Sequence, residues 1–130
     1  MPVNASIKTT IVPWLDVRNA TKAFDFYTAA FGAVEVYRFE EGNALVCRLS
    51  VEGAEFWISG TNDNEDATPE KVGGDSARII LTVADPDAVF ARALAAGATE
   101  IFPVGEGYGW RLGRLADPFG LNWEIGYPLE

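Results

Sequence analysis

The sequence predicts an α+β fold built from two βαβββ modules with a cleft between them. Three observations lead there. First, one short unit occurs twice. A strand ending at Val17, a helix holding Phe24 and closed by Gly32-Ala33, and a strand reaching Val36 recur. The second copy is a strand ending at Val83, a helix holding Phe90 and closed by Gly97-Ala98, and a strand near Ile101. Second, the copies stand about half the chain apart, the mark of a duplicated module. Third, apolar runs broken by turn signals follow each helix. Two joined half-sheets leave a cleft, and a ligand site is expected there.

The elements follow in order. Ile7, Thr9, Ile11, Pro13, Leu15 and Val17 alternate with Lys8, Thr10, Val12, Trp14 and Asp16, a period-2 strand with one face on a core. Asn19 suits an N-cap, and Ala23, Phe26, Tyr27 and Ala30 form the apolar stripe of the helix it starts. Gly32 stops that helix. Strands are expected over 34–39, 45–51 and 54–59, with turns at Glu41-Gly42-Asn43 and Glu52-Gly53. Residues 60–76 are polar, Gly-rich and acidic, and read as a linker. A lid over a site stays open as an alternative.

The second half repeats the plan, with a strand over 77–84. Asp85-Pro86 starts a helix whose stripe is Val89, Phe90, Ala93 and Leu94, and Gly97 ends it. Strands are expected over 101–104, 110–115 and 122–126, with a hairpin turn at Asp117-Pro118-Phe119-Gly120. One domain over 1–130 is therefore expected: module one 5–60, linker 60–76, module two 77–130.

Composition excludes several classes. The net charge of −9 argues against a nucleic-acid partner, which needs a basic face. It is compatible with a cationic ligand, and equally with simple solubility. No apolar run approaches the roughly 20 residues of a membrane span. The N-terminal residues lack a signal-type apolar segment, so a cytoplasmic protein is expected. A single cysteine, Cys47, excludes an internal disulfide. It reads as a small buried residue, since no histidine exists to activate it.

Asp25-Phe-Tyr-Thr-Ala-Ala-Phe-Gly-Ala33, Ala95-Ala-Gly-Ala98 and Asp117-Pro-Phe-Gly-Leu-Asn-Trp-Glu124 stand in this order on the two repeats. Together they resemble the vicinal oxygen chelate superfamily, in its PhnB-like glyoxalase/bleomycin-resistance branch. The resemblance covers nearly the whole chain. It implies a curved mixed sheet around a cleft, usually completed in a homodimer. In metal-dependent members the ligands come from the first and last strand of each module. Carried over position by position, those places hold Val12, Trp57, Arg78 and Glu124.

Three of these four cannot bind a metal: Val and Trp offer no lone pair, and Arg stays protonated. One carboxylate does not make a transition-metal site, and the chain has no histidine. No metal or other cofactor is therefore expected. A carboxylate-only Mg²⁺ or Mn²⁺ site using Glu55 or Glu35 stays open.

Alternation supplies the rest of the expected site. Ile79, Leu81 and Val83 face the core, which leaves Arg78, Ile80 and Thr82 for the cleft. Leu121, Trp123 and Ile125 likewise leave Asn122, Glu124 and Gly126. Thr10, Val12 and Trp14 join them from the first strand, and Glu55, Trp57 and Ser59 from the fourth. Trp123 and Tyr27 read as core. Gly107-Tyr108-Gly109 reads as a turn.

The candidate ligand-binding residues are Val12, Trp14, Glu55, Trp57, Arg78, Ile80, Tyr108, Asn122 and Glu124. Such a cleft suits a flat or apolar organic molecule with a polar handle, and stacked tryptophans suit a cationic aromatic one. The leading expectation is a metal-free small-molecule-binding protein that sequesters or senses its ligand. The alternative is a glyoxalase-like lyase or isomerase, or a dioxygenase-related enzyme, with or without a divalent metal. There Glu124 would be the base and Arg78 or Tyr108 would stabilise an oxyanion. Arg78 and Glu124 are also expected to touch as an ion pair, which would make Glu124 a weak proton acceptor.

Overall fold

The computed structural model describes residues 10–61 and 78–129. Along them run β1 (Trp14–Asn19), α1 (Ala20–Phe31), β2 (Val34–Glu41), β3 (Ala44–Val51) and β4 (Ala54–Thr61). Then come β5 (Ile79–Thr82), α2 (Pro86–Ala96), β6 (Thr99–Gly107), β7 (Trp110–Ala116) and β8 (Asn122–Pro128). This is the βαβββ plan twice, and the α+β class is the one expected. The strands form two four-stranded sheets, ordered β1-β4-β3-β2 and β5-β8-β7-β6. In each, the first strand of the module lies parallel to its last and the other pairs are antiparallel.

Local chemistry sets the helix limits. The Asn19 side chain accepts from the Lys22 N–H, and Asp85 does the same for Ala88, so each covers one orphan donor of its first turn. Gly32 closes α1 in the left-handed region, at φ 71°, where its N–H reaches the Thr28 carbonyl. Arg92 of α2 donates from Nε to the Ala29 carbonyl at 2.7 Å, tying the second helix to the end of the first.

Several boundaries differ from the sequence reading: β2 runs to Glu41 rather than 39, β6 covers Thr99–Gly107 rather than 101–104, and β8 runs to Pro128 rather than 126. The first strand starts at Trp14 rather than Ile7: residues 10–13 are in no strand, and 5–9 lie outside the described residues. Pro13 has no N–H to give a ladder, although its carbonyl accepts from Trp57 N at 2.9 Å. The fifth strand is confined to Ile79–Thr82, so Arg78 precedes it, and Ala77 lies outside the described residues. Gly60 and Thr61 belong to β4; the remainder of the expected 60–76 linker also lies outside.

One face of each sheet is covered by helices. The helix α1 packs on β3 and β4, α2 packs on β6, β7 and β8, and the helices pack on each other. Tyr27 and Phe56 from module one meet Trp123 from module two at centroid distances of 5.5 Å each. Phe31 meets the same indole at 4.8 Å, with the ring planes tilted by 48°. Burying an aromatic or large aliphatic side chain is worth about 1.5–3 kcal/mol, so this cluster welds the two modules.

At its centre Asp117 is only 4% exposed. Its Oδ2 accepts from Tyr27 Oη at 2.6 Å and Trp123 Nε1 at 2.9 Å. Its Oδ1 accepts the Phe119 and Leu121 N–H groups at 2.9 and 3.0 Å. Burial pushes the Asp117 carboxyl above its usual value even against these four donors. Burial and the adjacent carboxylate raise the Tyr27 phenol well above its own, so it stays a donor.

Candidate functional site

The functional face is the one without helices. Alternation sends Leu15, Val17, Phe56, Ile58, Leu81, Trp123 and Ile125 into the core, and their neighbours to this open face. The two modules furnish it differently.

On module one, Trp14 and Trp57 are directly paired in the parallel β1–β4 register and stack at 5.4 Å with planes 12° apart. Tyr37 meets Trp57 edge-on at 5.8 Å, and the Arg48 guanidinium lies 5.8 Å from the same ring. Arg48 forms an ion pair with Glu55, donating from Nε at 2.7 Å. Trp14 Nε1 donates to Ser59, whose hydroxyl donates to Asp16, both at 2.9 Å. Trp14 remains 52% exposed.

Module two has a cavity of about 470 Å³. Ile80, Phe102, Pro103, Trp110 and Leu112 make its apolar walls. Glu124 is its acid on β8, and Glu106 and Tyr108 belong to the β6–β7 hairpin end. Tyr108 is fully exposed and has φ 51°; with Gly109 at φ 83° it forms the left-handed pair of a tight hairpin.

Two guanidiniums converge on one Glu124 oxygen. Arg114 donates to Oε2 from Nη2 at 3.1 Å and from Nε at 3.3 Å. Arg78 Nη1 lies 3.3 Å from that same oxygen. The Glu124 side chain is 12% exposed and that of Arg78 51%. Arg114 also covers the Phe102 ring at 5.1 Å. Arg111 clamps Asp87 with bonds of 2.8 and 2.6 Å, holding that carboxyl below its usual value, and reaches Glu106 at 3.5 Å.

The structure therefore distributes the expected residues over two places. Ile80, Tyr108 and Glu124 line the module-two cavity, and Arg78 reaches it through Glu124. Asn122 lies two residues before Glu124 on the same face but does not line the cavity. Trp14, Glu55 and Trp57 form the aromatic patch of module one, and Val12 sits ahead of β1 in no strand. None of those four lines the cavity. Trp14 and Trp57 thus belong to the sheet β1-β4-β3-β2, and Glu124 with its partner Arg78 to the sheet β5-β8-β7-β6 and its approach.

Sequence reasoning missed Arg114, Phe102, Trp110 and Leu112. A signal existed for Arg114: Gly113 and Leu115 are buried, which turns it to the open face, opposite Glu124 in the antiparallel register.

These side chains do not suit the metal that the fold family uses in its metal-dependent members. The positions carried over hold Val12, Trp57, Arg78 and Glu124, and the carboxylate is engaged by two cations. Among the described residues, no three His, Cys, Asp or Glu side chains gather as a metal site.

A profile of the Glyoxalase/Bleomycin resistance protein/Dioxygenase superfamily matches residues 11–125, and the chain belongs to that superfamily. An uncharacterized protein of Mycobacterium tuberculosis is 37% identical, over 96% of this chain and 78% of that protein. A solved Arabidopsis thaliana gene product is similar at a TM-score of 0.67 and 25% identity, over 92% of this chain and 99% of that one. The PhnB protein of Bacillus cereus shares the vicinal oxygen chelate fold at a TM-score of 0.66 and 22% identity, over 92% and 99%. Among the described residues, no helix is long and apolar enough to cross a membrane.

Proposed function

We propose that this protein binds an apolar, ring-containing small molecule in the module-two cavity without a resident metal, and acts by sequestering or sensing it. The observation that carries the reading is the cavity itself. Five apolar side chains surround about 470 Å³, and of the two lining acids Glu124 is paired with Arg78 and Arg114 and Glu106 lies 3.5 Å from Arg111. A few polar groups in an apolar concavity is the usual make-up of a small-molecule site. Metal-assisted chemistry finds no supporting donor set here.

A homodimer is part of the proposal. The strand β2 is exposed along its whole length and carries Val34, Val36, Tyr37 and Phe39 outward. An uncovered apolar edge of that kind calls for a partner. The working compartment proposed is the cytoplasm, in keeping with a buried free thiol, Cys47.

Catalysis by Glu124 is the second reading, favoured by its place among the cavity walls. It ranks lower because one oxygen is taken by two guanidiniums, which leaves only Oε1 to accept a proton.

Three measurements test the proposal. Native mass spectrometry of protein purified without chelator should find a bound organic mass and no stoichiometric metal. Sedimentation should find a dimer at micromolar concentration. Ligand turnover, or about one metal ion per chain whose removal abolishes binding, would overturn the metal-free binding reading.

A further inference from the structure

The Glu124 corner of the cavity is richer in arginine than the chain as a whole. The overall charge of −9 suggests a cationic ligand. Locally, Arg78 and Arg114 face the single carboxylate of Glu124. They converge on one oxygen of Glu124, which lines the cavity, so two cations share that carboxylate from beside the lining, while the other lining acid, Glu106, shares Arg111 with Asp87. The distances to Glu124 are 3.1–3.3 Å, long for charge-assisted bonds. Arg78 makes an ion pair there but no hydrogen bond to any described residue. A guanidinium carries five N–H donors in a fork that matches a carboxylate, so Arg78 has donors to offer. The Glu106 carboxylate, at the hairpin end, already has Arg111 within 3.5 Å.

Resting on the binding reading above, we propose that the ligand is an apolar organic acid. Its carboxylate is held by Arg78 and Arg114 beside Glu124, and its apolar body lies against Ile80, Phe102, Trp110 and Leu112. Glu124 then acts as an internal counter-ion. It keeps two cations close together in the empty protein and competes with the incoming carboxylate. It also gives selectivity, since a second anionic group on the ligand would meet Glu124 without a partner.

The test uses three probes of one shape and different charge: 2-naphthoate, 2-naphthamide and 2-naphthylmethylammonium. Titration calorimetry, checked by quenching of tryptophan fluorescence, reads their affinities for the full chain. The expected order is anion, then amide, then cation, with the anion weakening as salt rises. Arg114→Gln and the more exposed Arg78→Gln should each weaken naphthoate about tenfold and naphthamide by less than about twofold, tenfold being 1.4 kcal/mol. Glu124→Gln should tighten naphthoate and weaken the cation, a gain that general damage to the fold would not produce.

A cation preferred over the anion, or arginine variants that weaken all three probes alike, would overturn the organic-acid inference while small-molecule binding stands. Failure of all three probes to bind at millimolar concentration would instead overturn the assignment of this cavity as the binding site, and this inference with it.

Discussion

Replacing Asp117 by alanine tests whether one buried carboxylate holds the two modules together. The side chain accepts four hydrogen bonds, two from backbone N–H groups of its own turn and two from Tyr27 and Trp123. The turn amides lie beside exposed Pro118 and Gly120, so water can replace their acceptor. The Tyr27 hydroxyl and Trp123 indole cannot be rescued that way, because both residues are at most 2% exposed. Each stranded buried donor costs about 1–3 kcal/mol, so Asp117→Ala should lose roughly 2–6 kcal/mol. That is a large share of the about 5–15 kcal/mol that holds a domain folded.

Tyr27→Phe should lose roughly 1.5–3 kcal/mol, the worth of one hydrogen bond to a charged group. Asp117→Asn should fall between the two: its oxygen keeps the turn amides and its NH₂ can donate to Tyr27, but it then faces the Trp123 N–H donor to donor. Urea unfolding followed by far-ultraviolet circular dichroism reads all three, and the double variant gives the coupling. A loss below about 1 kcal/mol for Asp117→Ala, or strict additivity with Tyr27→Phe, would refute the reasoning.

The pH dependence has a definite sign. The folded Asp117 carboxyl is raised, so the folded state takes up its proton more readily than the unfolded chain. Its contribution to stability therefore grows as pH falls through the raised value toward the ordinary carboxylate range. Asp117→Asn lacks this term. The stability of the wild type relative to Asp117→Asn should increase on acidification from neutral pH; a decrease would contradict the assigned direction.

Tyr108 occupies a hairpin position at φ 51° where Asn or Gly is preferred. Tyr108→Asn should therefore be stability-neutral or gain up to about 1 kcal/mol by thermal unfolding, yet weaken ligand binding by calorimetry. Gly60→Ala should cost about 3 kcal/mol in urea, because an added Cβ would lie 2.1 Å from the Val17 carbonyl oxygen. For the Glu124 cluster, Arg78→Ala should cost only about 0.2–1 kcal/mol, since that side chain is half exposed and Arg114 remains on Glu124. Arg114→Ala should cost more than Arg78→Ala in the same unfolding assay, and the reverse order would show that Arg78 is the main partner.

The sequence led to an Arg78–Glu124 ion pair, and the structure adds Arg114 to it. Arg78 and Glu124 do touch, but Glu124 is not left alone when Arg78 is removed. Alternation was legible because each sheet buries one face, which is why Leu15, Ile58, Leu81 and Trp123 fall inside and Trp14, Trp57, Ile80 and Glu124 do not. Helix limits were legible because Asn19, Asp85, Gly32 and Gly97 act within one turn. Pairing across distance was not. Nothing local to Asp117 announces Tyr27, 90 residues away. The cavity walls were hidden for a related reason: β6 shifts register between Glu100 and Phe102 and again before Gly105. Each shift breaks the two-residue period that would have assigned Phe102 to a face.

The duplication shows how the cavity face of module two differs from its counterpart in module one. The parallel registers pair Trp14 with Trp57 in module one and Ile80 with Glu124 in module two, so these are equivalent places on equivalent sheets. Arg48 and Arg114 are equivalent too: each sits opposite the last strand and over an aromatic ring, and each pairs with an acid of that strand. The arginine is thus common to both halves, but its ring comes from the last strand in module one, Trp57, and from β6 in module two, Phe102. The difference is in the pair beside them. Two stacked indoles spread an aromatic patch over the β1–β4 side of the module-one sheet. An isoleucine and a glutamate are smaller and cannot stack, so the same position in module two stays open and keeps a charge. One differing position on each of two strands thus accompanies an aromatic patch on one sheet and an open, charged cavity on the other.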